Sequence, residues 1–460
     1  MLLEGLEVSE VSFKSVINEN DWHRLDPEYY KKYATRIINL IKSGRFVTIG
    51  DCFDVSKLAG FEFTEYFTSE SMNSEDSYIA LTSKNIQSER LELTDYITID
   101  RKIADTYLQR SKIIKGDVIL SYTGEYRRAL VMQDDNHYQL GPNICRIRSK
   151  SSIISPYFLS TFLNSSIGQT ILDKEKTLSA QPTVAMSRIR QIPIPVINNQ
   201  GIIDELIKQA YLKIENSKSI YKEVEKTLLE ELGLKNWQPN NNPFNIKQLK
   251  ESFLASGRLD AEYYQSKYDA LFAQLSKYEY DTIKGIAHIK KSVEPGSEAY
   301  QDEGIPFVRV SDVTKFGISD PNIFLSSNDF DLKELQPKKN TILLSKDGSV
   351  GIAYKVEKDM ACITSGALLH LLVFNEDYNP DYLTLVLNSI VVQMQAERDS
   401  NGAVIQHWKP SEIEQVIIPK LPKSIQDTIS AKIQESFALK AESKRLLDEA
   451  KMMVEREIEK

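Results

Sequence analysis

Between residues 203 and 228 the apolar positions advance by alternating steps of four and three: Ile203, Ile207, Ala210, Ile214, then Ser217, then Tyr221, Val224 and Leu228. That spacing holds one stripe on one face of an α-helix and is the seam of a coiled coil, interrupted once by a serine. The same register returns near the end of the chain as Ile429, Ile433, Ser436, Lys440, Ser443, Leu447, Ala450 and Val454. With a lysine and two serines this second stripe is too polar to stand alone, and the first helix is its natural partner. A helix of roughly 30 residues is about 45 Å long, more than packing on one domain face requires.

Ahead of each long helix runs the same series of shorter patterns. Arg24-Leu25-Asp26-Pro27-Glu28-Tyr29-Tyr30 recurs in the second half as Arg258-Leu259-Asp260-Ala261-Glu262-Tyr263-Tyr264, six of seven positions matching. Asp26 before Pro27 and Glu28 reads as a helix start, the carboxylate capping free N–H groups. Tyr30, Ala34, Ile37 and Ile41, and likewise Tyr264, Tyr268, Leu271 and Leu275, form the amphipathic stripe behind it. Residues 78–81, 306–310, 118–121 and 342–345 are rich in β-formers. The last two run into glycine turns, 122–128 and 346–351, which differ at nearly every outward position. Ser155-Pro156 and Asn379-Pro380 open short helices that Asn164 and Asn388 end. Loops at 179–183 and 401–408 follow, then a turn at Ser187 or Ser411 and an apolar strand ending at Pro195 or Pro419. From Ser121 and Ser345 onward these echoes keep one constant offset (345 − 121 = 224).

Solenoid repeats have periods of about 20 to 50 residues, so a repeat this long predicts two complete domains. The expected fold is α+β: a tandem duplication of a mixed α/β domain, each copy followed by a long helix, with the two helices pairing. The first domain spans 1–198, the central helix 199–235, the linker and second domain 236–423, and the last helix 424–460. Gly233 and the segment 236–243, rich in Asn and Pro, end the central helix.

Composition narrows the function. With 460 residues, 41% hydrophobic and 27% charged, each half can bury its own core. No apolar run approaches a membrane span of about 18 residues, and the first residues are acidic where a signal peptide needs basic ones, so a cytosolic protein is expected. Cys52, Cys145 and Cys362 are far apart and not at equivalent positions, which argues for reduced packing thiols. His23, His137, His288, His370 and His407 are isolated, and no metal cluster is expected. No tetrapeptide of the base-methylation type and no phosphate-cradling glycine fingerprint occurs; Gly348-Ser349-Val350-Gly351 is better read as a turn after a strand. A net charge of −8 excludes bulk electrostatic coating of nucleic acid and leaves local patches.

The order and residues together resemble the specificity subunit of type I restriction-modification systems, and also the specificity subunits of some type II systems. The features concerned are the Arg-Leu-Asp-x-Glu-Tyr-Tyr segment, the Leu-Ser-x-x-Gly turn, the Pro-x-x-Leu helix ending in Asn-Ser, the closing Ile-x-x-Ile-x-Ile-Pro strand and the domain-helix-domain-helix layout. The resemblance implies two target recognition domains reading the halves of an asymmetric bipartite site in double-stranded DNA. It implies an antiparallel pair of long helices acting as spacer, through Ile203, Ile207, Ile214, Tyr221, Leu228, Ile429, Ile433, Leu447 and Val454. It further implies two DNA methyltransferase subunits, which bind S-adenosylmethionine, and restriction/translocase subunits as partners, with no cofactor and no catalysis in this chain. A single-chain methyltransferase or nuclease lacks its motifs here, and a coiled-coil scaffold without DNA binding remains the third class.

Local charge favours DNA. Residues 110–150 carry eight Lys or Arg against four Asp or Glu, and 333–358 six against three, both around the divergent turns. Arginine can pair with guanine and acids can accept from cytosine, so mixed turns suit base reading. The candidates are Tyr122, Thr123, Glu125, Tyr126, Arg127 and Arg128 in the first domain, and Lys346, Asp347 and Ser349 in the second. Lys84, Asn85, Gln181, Thr183, Arg309, Gln406 and His407 join them from neighbouring segments.

Overall fold

The structure is a computed structural model that describes residues 10–18, 24–87, 90–93, 95–123, 127–135, 137–240, 242–400 and 406–460. The chain divides into two compact units, residues 1–215 with 440–460, and residues 216–439. Both long helices, Gln200–Glu231 and Lys423–Glu459, cross this division, so each unit holds a mixed α+β body and part of each helix.

In the first unit the antiparallel strands Phe53–Lys57, Ile144–Ser149, Val118–Ser121 and Ala129–Val131 lie in that order. A second sheet orders Ile97–Asp100, Ser77–Leu81, Tyr138–Leu140 and Lys112–Ile113, with a parallel pair in the middle. Every residue of Val118–Ser121 is buried, which accounts for its unbroken apolar run. Among the described residues the closing strand Pro193–Pro195 pairs only with Phe46–Thr48, an edge position that tolerates two prolines.

The second unit repeats this plan. Its four-stranded sheet orders Ala287–Lys290, Leu368–Val373, Ile342–Ser345 and Ala353–Lys355. A parallel pair, Ile305–Val308 with Ile363–Thr364, again sits in a separate sheet, and Tyr280–Thr282 pairs with the closing strand Ile417–Pro419. Matching polar bonds recur at equivalent positions of the two repeats. Asn164 accepts from the Ala129 N–H (2.9 Å) and donates to the Ala129 carbonyl (2.7 Å). Asn388 does the same to Ala353 (3.1 and 2.8 Å). These asparagines end their helices and also clamp them to an edge strand, while Ser165 and Ser389 accept from the first turn of the next helix.

One expectation is corrected. Asp26 and Asp260 make no side-chain cap; each carboxylate is taken by the arginine two positions before it, Arg24 or Arg258, and although Asp26 does precede a 3-10 turn, Pro27–Tyr30, the α-helices begin later, at Lys32 and Ser266. The tyrosines close the same motif: Tyr30 donates to the Arg24 carbonyl (2.8 Å) and Tyr264 to the Arg258 carbonyl (3.0 Å). Lys174 lies 3.5 Å over the Tyr29 ring, and Arg398, its counterpart in the second repeat, lies 4.9 Å over Tyr263. A carboxylate 2.5 to 2.9 Å from its own arginine has lone pairs committed to a full charge, which outcompetes a helix N-terminus. The apolar stripe survives, with Ala34, Ile37 and Ile41 buried, but Tyr30 lies outside the helix.

The long helices pair antiparallel. In the first unit Ser443 donates to the Ala210 carbonyl (2.8 Å). In the second, Ser217 and Ser436 each donate to the other's carbonyl (2.8 Å both), and Lys432 meets Glu223 at 2.5 Å. The serines that weaken the stripe are therefore buried, satisfied, and small enough for close approach of the backbones. Ile203, Ile207, Ile214, Tyr221, Leu228, Ile429, Ile433, Leu447 and Val454 are all buried. The three cysteines are free and buried. Among the described residues no helix is long and apolar enough to cross a membrane, and no metal-binding group of His, Cys, Asp and Glu occurs.

Candidate nucleic-acid interface

Each divergent turn is stitched to a distant loop by the same short ladder. In the first unit the Val184 N–H donates to the Tyr122 carbonyl (3.0 Å) and Thr123 bridges Thr183. In the second the Trp408 N–H donates to the Lys346 carbonyl (2.8 Å) and Asp347 bridges His407. Both turns close on a serine hydroxyl: Ser121 accepts from the Arg128 N–H and Ser345 from the Ile352 N–H, each at 2.8 Å. Gly348 at φ +74° supplies the left-handed residue that this turn needs. Tyr122 and Thr123 are thus joined to Thr183, and Lys346 and Asp347 to His407, although each pair is far apart in sequence.

The first ladder is lined by hydroxyls. The Thr177 N–H donates to the Thr183 carbonyl (2.8 Å), the Thr183 N–H donates to Thr177 Oγ1 (3.1 Å), and Ser179 donates to the Gln181 carbonyl (2.7 Å). Thr177, Leu178, Ser179 and Gln181 are exposed. Lys57 Nζ stands 5.6 Å from the Tyr122 ring, whose hydroxyl burial pushes above its ordinary pKa. The second ladder is charged. Asp347 faces both Lys346 and His407, the latter with Nδ1 2.8 Å from Oδ1, while Ser349 and Gln406 are exposed.

The other candidates differ in how far the fold engages them. Arg127 is not in the solvent: it is 1% exposed, with Nη1 2.7 Å from Asp173. Burial pushes the Asp173 carboxyl up, but the hydrogen bonds from Arg127 and Lys176 outweigh it and hold the group below its usual range. Asn85, 1% exposed, organises a turn by accepting from the Thr82 N–H and donating to the Glu92 and Asp95 carbonyls, each at 2.8 Å. Lys84 is exposed and 3.3 Å from Asp95, Arg128 bonds Gln87, and Arg309 Nε lies 3.9 Å from Asp312. Glu125 and Tyr126 lie outside the described residues.

Part of the basic excess around the turns is internal, while Arg110, Lys115, Lys150, Lys333, Lys338, Lys339 and Lys358 are exposed. Arg148 grips Asp117 with two bonds of 2.7 Å, Arg146 is buried against the Arg110 and Lys112 carbonyls, and Lys355 is buried 2.6 Å from Asp381. A count of charges along the sequence cannot separate a scaffold cation from a phosphate-binding one. The sequence reading missed Gln169 and Gln393, whose amides hold the carbonyls of Arg127 (2.6 Å) and Gly351 (2.8 Å) and so fix the far side of each turn. Their place at the common repeat offset was the available signal. It also missed Lys57, which nothing in the repeat marks out.

Residues 276–451 match the family of type I restriction modification DNA specificity domains. Over 146 residues the chain is 26% identical to the type I restriction enzyme EcoBI specificity subunit of Escherichia coli, a match spanning 31% of this chain and 30% of that relative. Among solved structures, the S subunit of a type I restriction-modification system from M. genitalium overlaps 90% of this chain and 94% of its own at 15% identity, with a TM-score of 0.39. The HsdS subunit from Thermoanaerobacter tengcongensis overlaps 90% and 95% at 16% identity, with a TM-score of 0.28. The family match thus lies in the second half of this chain, and the chain spans about a third of the length of the curated relative it matches.

Proposed function

We propose that the chain is the DNA sequence-specificity subunit of a type I restriction-modification complex and performs no catalysis itself. Each of its two domains reads one half of an asymmetric bipartite site through its turn–loop ladder, and the paired long helices act as spacer. Two methyltransferase subunits, which bring S-adenosylmethionine, and restriction subunits join it on double-stranded DNA. The observation that carries this reading is the family match over residues 276–451, taken with the presence in the first repeat of the same ladder bonds on different side chains. A retained scaffold with altered tips is what two domains of one fold need to read two different sequences. An acidic chain that binds duplex weakly alone also suits a complex in which partners supply further phosphate contacts.

The test is domain exchange. Replacing residues 1–198 by the first domain of another family member, in a host carrying the complete system, should change one half of the methylated sequence and leave the other. Sequencing of methylated adenines reads the outcome, and a change in both halves would defeat the modular reading.

A further inference from the structure

His407 is held differently from a solvated loop histidine. Its Nδ1 is 2.8 Å from a carboxylate oxygen of Asp347, whose side chain is only 22% exposed and also faces Lys346. The backbone on either side is fixed: the Gly348 N–H donates to the Gln406 carbonyl (3.0 Å), and Trp408, 1% exposed, is anchored to the Lys346 carbonyl (2.8 Å). The imidazole itself is 62% exposed.

An ionised carboxylate only accepts hydrogen bonds, so in the neutral imidazole the proton sits on Nδ1 and the outer nitrogen, Nε2, is left as an acceptor. The edge displayed at His407 therefore has one polarity. We propose that His407 is a specificity-determining residue of the second domain, its Nε2 accepting a hydrogen bond from the exocyclic amino group of an adenine or cytosine in the major groove. Those amino groups, adenine N6 and cytosine N4, are the base donors that groove offers. Asp347 is the positioning residue that sets the tautomer. At the equivalent place in the first domain stand Thr123 and Thr183, whose hydroxyls both donate and accept and so cannot discriminate this way.

This inference rests on the ladder facing DNA, and the experiment separates the two. The chain assembled with its methyltransferase partners is bound at pH 8 to duplexes in which each adenine of the second half-site is replaced in turn by purine, and each cytosine by 2-pyrimidinone, removing the amino group alone. At one position the wild-type complex should lose roughly tenfold in affinity. The His407→Ala complex should lose nothing further there while keeping its losses elsewhere. Asp347→Asn, which can present either a donor or an acceptor to Nδ1, should reduce the discrimination without changing thermal stability. Identical losses in wild type and His407→Ala at every position would overturn the proposal. If exchanging residues 346–349 and 406–407 for those of another member also leaves the second half-site unchanged, the ladder reading itself fails. If that exchange alters the half-site and His407→Ala does not, only the histidine assignment falls.

Discussion

Lys355 and Asp381 form an ion pair inside the second unit, 2.6 Å apart with side chains 7% and 4% exposed. Lys355 ends a strand of the four-stranded sheet, Asp381 stands in the first turn of the helix Pro380–Leu387, and the same carboxylate accepts from Ser430 (2.7 Å) and Gln434 (3.0 Å) of the C-terminal helix. One buried charge thus ties sheet, short helix and long helix together. Removing one partner of such a pair typically costs about 3–5 kcal/mol, because an uncompensated charge stays buried. In Lys355→Met the carboxylate keeps two donors, so the lower end, about 3 kcal/mol, is expected. At about 2–4 °C per kcal/mol for a domain of roughly 200 residues, that is a fall of about 6–12 °C in Tm. Asp381→Leu should cost less, since Lys355 keeps Glu357 at 3.2 Å. The double variant Lys355→Met/Asp381→Leu removes both charges and should recover most of the loss, because Gln434 is exposed and Ser430 can donate to its own helix. Urea denaturation of the purified chain, followed by circular dichroism, measures all four forms. A cost below about 1 kcal/mol for Lys355→Met, or a double variant no more stable than the sum of the singles, would refute the argument that buried charge holds this junction.

Arg127→Met should leave stability within about 1 kcal/mol of wild type and the salt dependence of DNA binding unchanged, because Asp173 is 53% exposed and keeps Lys176 at 3.1 Å, so no buried charge is left unpaired when a side chain of similar volume replaces the arginine; a reduced salt slope would restore Arg127 as a phosphate contact. His370 is buried with Nε2 2.8 Å from Thr364 Oγ1, and burial, aided by Lys290, lowers its pKa from 6.5 to about 4. The unfolded chain then binds the proton that the folded chain refuses, so this contribution is complete above pH 6.5 and is lost as pH falls toward 4, by about 3 kcal/mol. His370→Gln should flatten that slope in denaturation measured between pH 7 and 4. Four residues inserted in the central helix add about 6 Å, and methylome sequencing should show both half-sites intact with the unread gap longer by one or two base pairs; an active variant with its original gap would end the spacer reading.

Much of the organisation is legible without coordinates because it is written in local physics. The alternation of four and three from Ile203 to Leu228 fixes which face of a helix is apolar, and a buried run such as Val118–Ser121 fixes a strand in the middle of a sheet. Duplication adds a second reading of every signal, so Asn164-Ser165 and Asn388-Ser389 stand out before their bonds to Ala129 and Ala353 are known. What the sequence left open is the partner of each polar group. Asp26 has the grammar of a cap yet serves Arg24, and Arg127 has the chemistry of a base reader yet is itself buried, with Asp173 as its partner. The pairing of Thr123 with Thr183 and of Asp347 with His407 joins segments remote in sequence, and no local periodicity reports it. The physical reason is range: backbone propensity and amphipathic spacing act over a few residues and survive in the sequence pattern. The environment that decides whether a charge is spent on the scaffold or presented to a ligand is assembled only when distant segments pack.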